Sequence, residues 1–283
     1  MICDPDLQTL REGRVVLMPV VCYVSLGTLL PQGVNVNEAR GFDGLWQCGR
    51  VLSRTKSMTN NLDHEKELAA RASLRFVQDG QIVGLGTGST AAHLVRVLGE
   101  KVREGLKIKA IPTSSRTREL AASLGIPLTN FDEYQQIDVT IDGADEIGPN
   151  LQLIKGGGGA LLREKVVASA AKKLVIIADS SKQVATLGRF PLPVEVVGFA
   201  QALVAKKIQA LGATVTLRQG TDGKPFVTDE GHHILDCSFG RINDPPALAR
   251  VLSDMPGVME HGLFIGMASV ALVGKGEEVV EVR

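Results

Sequence analysis

Residues 142–165 read DGADEIGPNLQLIKGGGGALLREK. Asp142 and Asp145 bracket Gly143 and Ala144, Lys155 stands directly before four glycines, and Glu164 follows at the start of a helical pattern. Each of these residue types has a use in proton transfer. Two carboxylates at one strand end, turned into one cleft, repel each other and lose solvent, which raises the pKa of at least one. The competing reading is an Asx-rich turn with both acids in water. Lys155, placed before backbone free enough to wrap a ligand, suits a developing oxyanion or a phosphate. Glu164 falls in or near the first turn of a helix, where the dipole favours its anion, so a buried carboxylate there is expected to be ionised and ready to accept a proton. Its alternative is an ordinary helix-start charge paired with Lys165 or Arg163.

A second stretch, GLGTGST at 84–90, offers open backbone N–H groups, hydroxyls and a helix N-terminus, a combination that binds phosphate. Two rivals stand beside it. A dinucleotide fingerprint begun at Gly84 requires glycine at 89, where the chain has Ser89, and the next strand ends in PTSS rather than in a ribose-binding acid. A tight turn with a purely structural purpose is the other, because glycines also open helices for packing reasons. Lys182, after ADSS, is a second cation at a strand end.

Positioning these groups requires strands that end where the turns begin. QIVGLG, KIKAIP, VTIDGAD and LVIIADSSK are short apolar runs of strand type, while AAHLVRVLGEKVRE, SSRTRELAASLG and LREKVVASAAKK are helical, the second closed by Gly125. Residues 63–78 form an amphipathic helix with Leu68, Ala72 and Phe76 about a turn apart. Strands alternating with helices predict a doubly wound, mainly parallel, Rossmann-like sheet over residues 58–189. The turns at 84–90, 142–145, 155–159 and 179–182 then all lie at carboxyl ends of strands, where open α/β sheets bind ligands.

FPLPVEVV at 190–197 marks a boundary through Pro191 and Pro193. Residues 190–262 read as a smaller α+β domain: helix FAQALVAKKIQALG, strand ATVTLRQ, a hairpin around DEGHH, and a helix near DPPALARVL with prolines in its first turn. Residues 263–283 return to the main sheet.

The 283 residues are 44% hydrophobic with a formal net charge of zero, enough for a sizeable core and without the basic excess of a bulk nucleic-acid binder. The four cysteines, Cys3, Cys22, Cys48 and Cys237, show no CxxC spacing, and no histidine pair has metal-ligand spacing, so His93, His232 and His233 read as structural or solvated. A reducing cytoplasm is the simplest home. Residues 1–57 lack a sustained period and read as an extension outside the fold, with Met58 as the natural start. Their apolar run at 15–30 contains Pro19 and is too short to span a bilayer.

GLGTGST, DGADEI, KGGGGALLREK, ADSSKQV, FPLPVEV and ILDCSF, in this order and spacing, resemble ribose-5-phosphate isomerases of the A type from about residue 62 to the C-terminus. The resemblance implies interconversion of D-ribose 5-phosphate and D-ribulose 5-phosphate in the pentose phosphate pathway, by a homodimer or homotetramer, with no metal or organic cofactor. It makes Glu164 the general base, gives Asp142 and Asp145 ring opening and proton movement between O1 and O2, and sets Lys155 against the enediolate oxygen. Thr87, Gly88, Ser89 and Thr90, Gly143 and Ala144, and Gly156, Gly157 and Gly158 become substrate-binding backbone, with Lys182 and Lys66 as substrate lysines. Two other classes stay open: a different enzyme on a related scaffold, such as a CoA transferase or an aminosugar-phosphate deaminase-isomerase, and a non-enzymatic sugar-phosphate sensor. The DGAD and KGGGG set speaks against the first, and residues 1–57 show no basic recognition helix for the second.

Overall fold

The computed structural model describes residues 61–283, so the reading of 1–57 as an extension lies outside the described residues. The expected doubly wound sheet is present. Its strands are β1 (Ile82–Leu85), β2 (Lys109–Pro112), β3 (Val139–Asp142), β6 (Leu174–Asp179), β12 (Val270–Lys275) and β13 (Glu278–Val282), in the order β13-β12-β6-β3-β1-β2. All neighbours pair in parallel except β13, which turns back antiparallel at one edge.

Helices cover both faces, which is why β1, β3 and β6 are buried along their whole length and carry continuous apolar runs. Strand alternation splits β6 between two cores. Val175 and Ile177 face one with Leu94 and Leu98 of α2 (Ser89–Arg103) and Ala121 of α3 (Ser115–Ser123), and Leu174, Ile176 and Ala178 face another with Phe264.

The first helix, α1, spans 61–73. Its buried face is Glu65, Ala69, Ala70 and Ser73, while Leu68, placed on the core face by sequence spacing, is only half-buried. Close packing is the reason: a Cβ on Gly274 of β12 would stand 2.1 Å from the Glu65 carbonyl oxygen, so the helix meets the sheet through its smaller side chains. Glu65 tolerates burial because its carboxylate accepts the Ser180 N–H at 2.9 Å, the Ser180 hydroxyl at 2.7 Å and the Gly276 N–H at 2.8 Å. These bonds hold its pKa below the usual glutamate range despite burial.

A second, antiparallel sheet has the order β10-β7-β9-β8, from β7 (Leu192–Val196), β8 (Thr214–Leu217), β9 (His233–Ser238) and β10 (Val258–His261). Its core includes Val194, Val196, Leu235 and Cys237, with Val204 and Ile208 from α5 (Gln201–Ala210) and Leu252 from α6 (Pro245–Ser253). The FPLPVEVV stretch is thus an interior strand as well as a junction. Pro193 fits because it sits second in β7, and its carbonyl still accepts the Gly262 N–H at 2.7 Å. Three two-residue strands, β4 (Glu146–Ile147), β5 (Leu153–Ile154) and β11 (Leu263–Phe264), form a small third sheet in the order β11-β5-β4. Among the described residues, no helix is long and apolar enough to cross a membrane.

Candidate active site

Asp145 and Lys155 are neighbours because β4 and β5 make a hairpin with Glu146 opposite Ile154, and the Asp145 N–H donates to the Ile154 carbonyl at 2.8 Å. β3 delivers Asp142 at its carboxyl end. Helix α4 (Leu161–Ser169) begins just after the glycine run and carries Glu164 in its first turn. Three chemical groups from three elements therefore meet.

They meet out of water. Lys155 Nζ lies 2.9 Å from Asp142 Oδ2 and 3.2 Å from Glu164 Oε2, and it donates to the Gly143 carbonyl at 2.7 Å. All three side chains are at most 3% exposed. The Glu164 contact has ion-pair length, but the geometry is poor for a hydrogen bond, and Oε2 is left without a hydrogen-bond partner. Two acids thus share one lysine. Burial raises the pKa of Asp142 against the pull of Lys155. Burial likewise pushes Glu164 up to about 8, with Lys155 opposing and Asp142 adding to it. For Lys155 burial works against the charge, but Asp142 and Glu164 outweigh it and hold the pKa above the ordinary lysine range. Desolvation therefore works against the helix dipole and Lys155 at Glu164, and moves its pKa above the ordinary glutamate range.

Close approach explains two of the glycines. A Cβ on Gly86 would stand 1.9 Å from Asp142 Oδ1, and one on Gly157 would stand 2.5 Å from Asp145 Oδ1. Asp142 Oδ1 also accepts the N–H groups of Gly143 at 2.7 Å and Thr87 at 3.1 Å, while Asp145 Oδ2 accepts that of Gly157 at 2.7 Å. Asp142 is thus not the solvated acid of an Asx turn, and Asp145, half-buried, is tied instead to the glycine run.

The cleft beside these groups is lined by Thr87, Gly88, Ser89, Thr90, Gly143, Ala144, Asp145, Lys155, Gly156, Gly157, Gly158, Glu164 and Lys182. α2 starts at its rim without a side-chain cap or an acid in the first turn, which leaves N–H groups for an anion. Of the residues singled out in the sequence, Asp142 stands behind this wall against Lys155, and Lys66 does not line the cleft; its ammonium is 4.0 Å from Asp63. Arg163 pairs with Asp229 and Glu230, and Lys165 with Glu260 at 2.7 Å, so neither is the partner of Glu164.

Other groups come into view only here. Thr87 Oγ1 lies 2.8 Å from the hydroxyls of Thr113 and Ser114 and 3.3 Å from that of Thr117, and this cluster fixes the turn whose N–H reaches Asp142. Its trace in the sequence was PTSS, legible only as a missing acid. The Phe264 ring has Lys155 Nζ at 5.3 Å and Lys165 Nζ at 4.8 Å from its centroid, a cation–π shelf for both lysines. The three histidines singled out in the sequence have protein partners: His93 with Asp63, His232 with Glu195, and His233 with Gln201. Burial pushes the Cys237 thiol up to about 12, which makes it unreactive. Among the described residues no group of three or more His, Cys, Asp or Glu is arranged to hold a metal ion.

A family model described as ribose 5-phosphate isomerase A (phosphoriboisomerase A) matches residues 109–278. The ribose-5-phosphate isomerase A of Parvibaculum lavamentivorans is 54% identical over 229 residues, which is 78% of this chain and 99% of that protein. That of Afipia carboxidovorans is 57% identical over 220 residues, covering 76% and 93%. Among solved structures, a D-ribose-5-phosphate isomerase in complex with phospho-erythronic acid matches with a TM-score of 0.77 at 38% identity, covering 79% of this chain and 99% of that one. The ribose 5-phosphate isomerase A of Methanocaldococcus jannaschii gives 0.75 at 39%, covering 78% and 98%. With a family model over more than half of its length and relatives of this identity over three quarters of it, the chain belongs to the ribose 5-phosphate isomerase A family.

Proposed function

We propose that this chain interconverts D-ribose 5-phosphate and D-ribulose 5-phosphate by moving one proton between C2 and C1 through a cis-enediolate. The observation that carries the reading is the buried trio of Asp142, Lys155 and Glu164 beside a cleft with an open helix N-terminus. Glu164 takes the C2 proton of the open-chain aldose; that electron pair forms the C1–C2 double bond, and the carbonyl pair settles on O1. Lys155 stands where this charge develops, in a dry setting that magnifies its effect. Asp142 and Asp145 serve ring opening and carry the O2 proton to O1, and the Glu164 carboxyl, whose proton exchanges with solvent while the enediolate lasts, delivers a proton to C1 and leaves the ketone at C2. The phosphate lies on the N–H groups and hydroxyls of Gly88, Ser89 and Thr90 with Lys182 nearby, and Gly143, Ala144 and Gly156 to Gly158 supply the remaining backbone. Lys182, on the cleft wall, supports the reading of a substrate cation there, and Lys66 is read as a further substrate lysine from the family resemblance alone.

Phospho-erythronic acid supports the same arrangement, because its carboxylate carries two oxygens and negative charge at one end of a phosphorylated chain. We expect it to compete with ribose 5-phosphate here. We also read the chain as a cytoplasmic homodimer or homotetramer without cofactor, from the family resemblance.

The deciding measurement is proton NMR of the protein with D-ribose 5-phosphate in D₂O containing EDTA. Ribulose 5-phosphate with solvent deuterium at C1 is expected. Neither product nor carbon-bound deuterium, from folded protein, would overturn the isomerase reading and favour a sensor.

The titration of the site makes a further prediction. With Glu164 pushed up to about 8, the free enzyme must lose a proton before it can act as a base. kcat/KM is therefore expected to climb between about pH 6 and 9, with an apparent pKa that belongs to the coupled acids as a set. A profile already flat at about pH 6 would show Glu164 to be an ordinary ionised carboxylate.

A further inference from the structure

The glycine run has no side chains of its own to hold it, yet one of its peptides anchors a cleft acid. The Gly157 N–H donates to Asp145 Oδ2 at 2.7 Å, and the carbonyl of that same peptide unit, belonging to Gly156, accepts from Arg218 Nη1 at 2.9 Å. Arg218 Nη1 also lies 3.2 Å from the Gly157 carbonyl. Arg218 follows β8 in the small sheet and is itself gripped by Asp236 of β9, with Nε to Oδ2 at 3.0 Å and Nη2 to Oδ1 at 2.5 Å. This two-pronged fork fixes the plane of the guanidinium, which a lysine cannot do. The side chains of Arg218 and Asp236 are 14% and 25% exposed.

The chain of contacts runs from Asp236 to Arg218, through one peptide plane, to Asp145. A cation on the carbonyl end of a peptide polarises it and strengthens the hydrogen bond given by its N–H end. Glycine loses the most backbone freedom on folding, so a run of four is the segment least able to hold such a plane unaided. A side chain at 157 is no substitute, because its Cβ would collide with Asp145.

We propose that Arg218, oriented by Asp236, is a positioning residue for the isomerisation: it sets the Gly156–Gly157 peptide and thereby the carboxylate of Asp145. The proposal rests on the reading of Asp145 as a proton-transfer group.

A double-mutant cycle tests it, with kcat and KM measured for Arg218→Gln, Asp145→Asn and the two combined, and folding checked by circular dichroism and thermal unfolding. Arg218→Gln is expected to lower kcat about tenfold with KM changed less than about twofold, since it displaces a group and not the substrate. In the Asp145→Asn background the same change is expected to cost less than about twofold, because the group it acts through is already gone. Asp236→Asn should show a smaller loss of the same kind. Should Arg218→Gln not fold, Arg218→Lys, which keeps the charge and loses the fork, takes its place in the cycle. Equal losses in both backgrounds, a change confined to KM, or a folded variant with the parent kcat would each overturn the proposal. Asp145→Asn at the parent rate would instead remove the role of Asp145, and the proposal with it, while the results for Glu164 and Lys155 stand.

Discussion

Glu164→Gln is expected to lower kcat by roughly 10² to 10⁴ and, at neutral pH and above, to make the fold more stable. The amide keeps the size and most of the polarity of the side chain and removes the proton acceptor. That acceptor is well prepared: it is 3% exposed, its Oε2 has no hydrogen-bond partner, and its pKa is pushed up to about 8, close to working pH and so well matched to taking a proton from carbon. The stability effect follows from the same shift. A carboxyl that moves from 4.5 to about 8 binds its proton more tightly in the folded chain than in the unfolded one. Its contribution is therefore intact below 4.5 and is lost as pH rises through about 8. The glutamine carries no such penalty, so its Tm should exceed the parent's at about pH 8, by roughly 2–4 °C for each kcal/mol relieved, and the gap should close toward about pH 5. Thermal unfolding across pH, beside kcat, checks both parts. A folded variant with the parent rate would sink the role of the base, and a gap independent of pH would sink the account of its burial.

Lys155→Ala is expected to cost roughly 10² to 10³ in kcat, the scale of losing one donor at a developing oxyanion. Unlike the glutamate variant it should also be less stable than the parent. Lys155 is the only cation in contact with the buried carboxylates of Asp142 and Glu164 among the described residues, and removing one partner of a buried pair costs about 3–5 kcal/mol because the other stays uncompensated. Here the sign of the pH dependence repeats. Without the ammonium both acids bind protons more tightly in the folded state, so the Glu164 share of the deficit should open as pH rises past about 8, where the parent's carboxyl loses its proton and the variant's keeps it. Steady-state rates and Tm at about pH 6 and about pH 9 suffice. The parent rate in a folded variant would remove Lys155 from the chemistry, and a deficit equal at both pH values would mean that the lysine acts by packing alone.

Both residues are legible in the sequence because their chemistry is uncommon and their spacing regular. A lysine before four glycines and an acid one helical turn beyond them can be read as a site, as can GLGTGST after a short apolar strand. The upward shift of the Glu164 pKa is not legible there, because the dipole of its helix is a local property and the desolvation that opposes it comes from residues elsewhere in the chain. Arg218 carries no signal: in ATVTLRQ it is one more polar residue at the end of a strand, and its meaning lies in a peptide 62 positions away. β7 is obscured by Pro193 within it and Pro191 just before it, whose local preference argues against a strand, and the core face of α1 is displaced by a close approach to Gly274.

The order of elements, the parallel sheet and the stretches that hold the candidate site residues were determined by the sequence alone, since apolar periodicity, turn residues and side-chain chemistry all act within a few residues of one another. Which groups stand within 3.2 Å of one lysine, how dry they are and which way their pKa values move were decided only by the tertiary structure. Desolvation and charge coupling depend on distance through space, and that distance does not exist until β3, the β4–β5 hairpin and α4 have packed together.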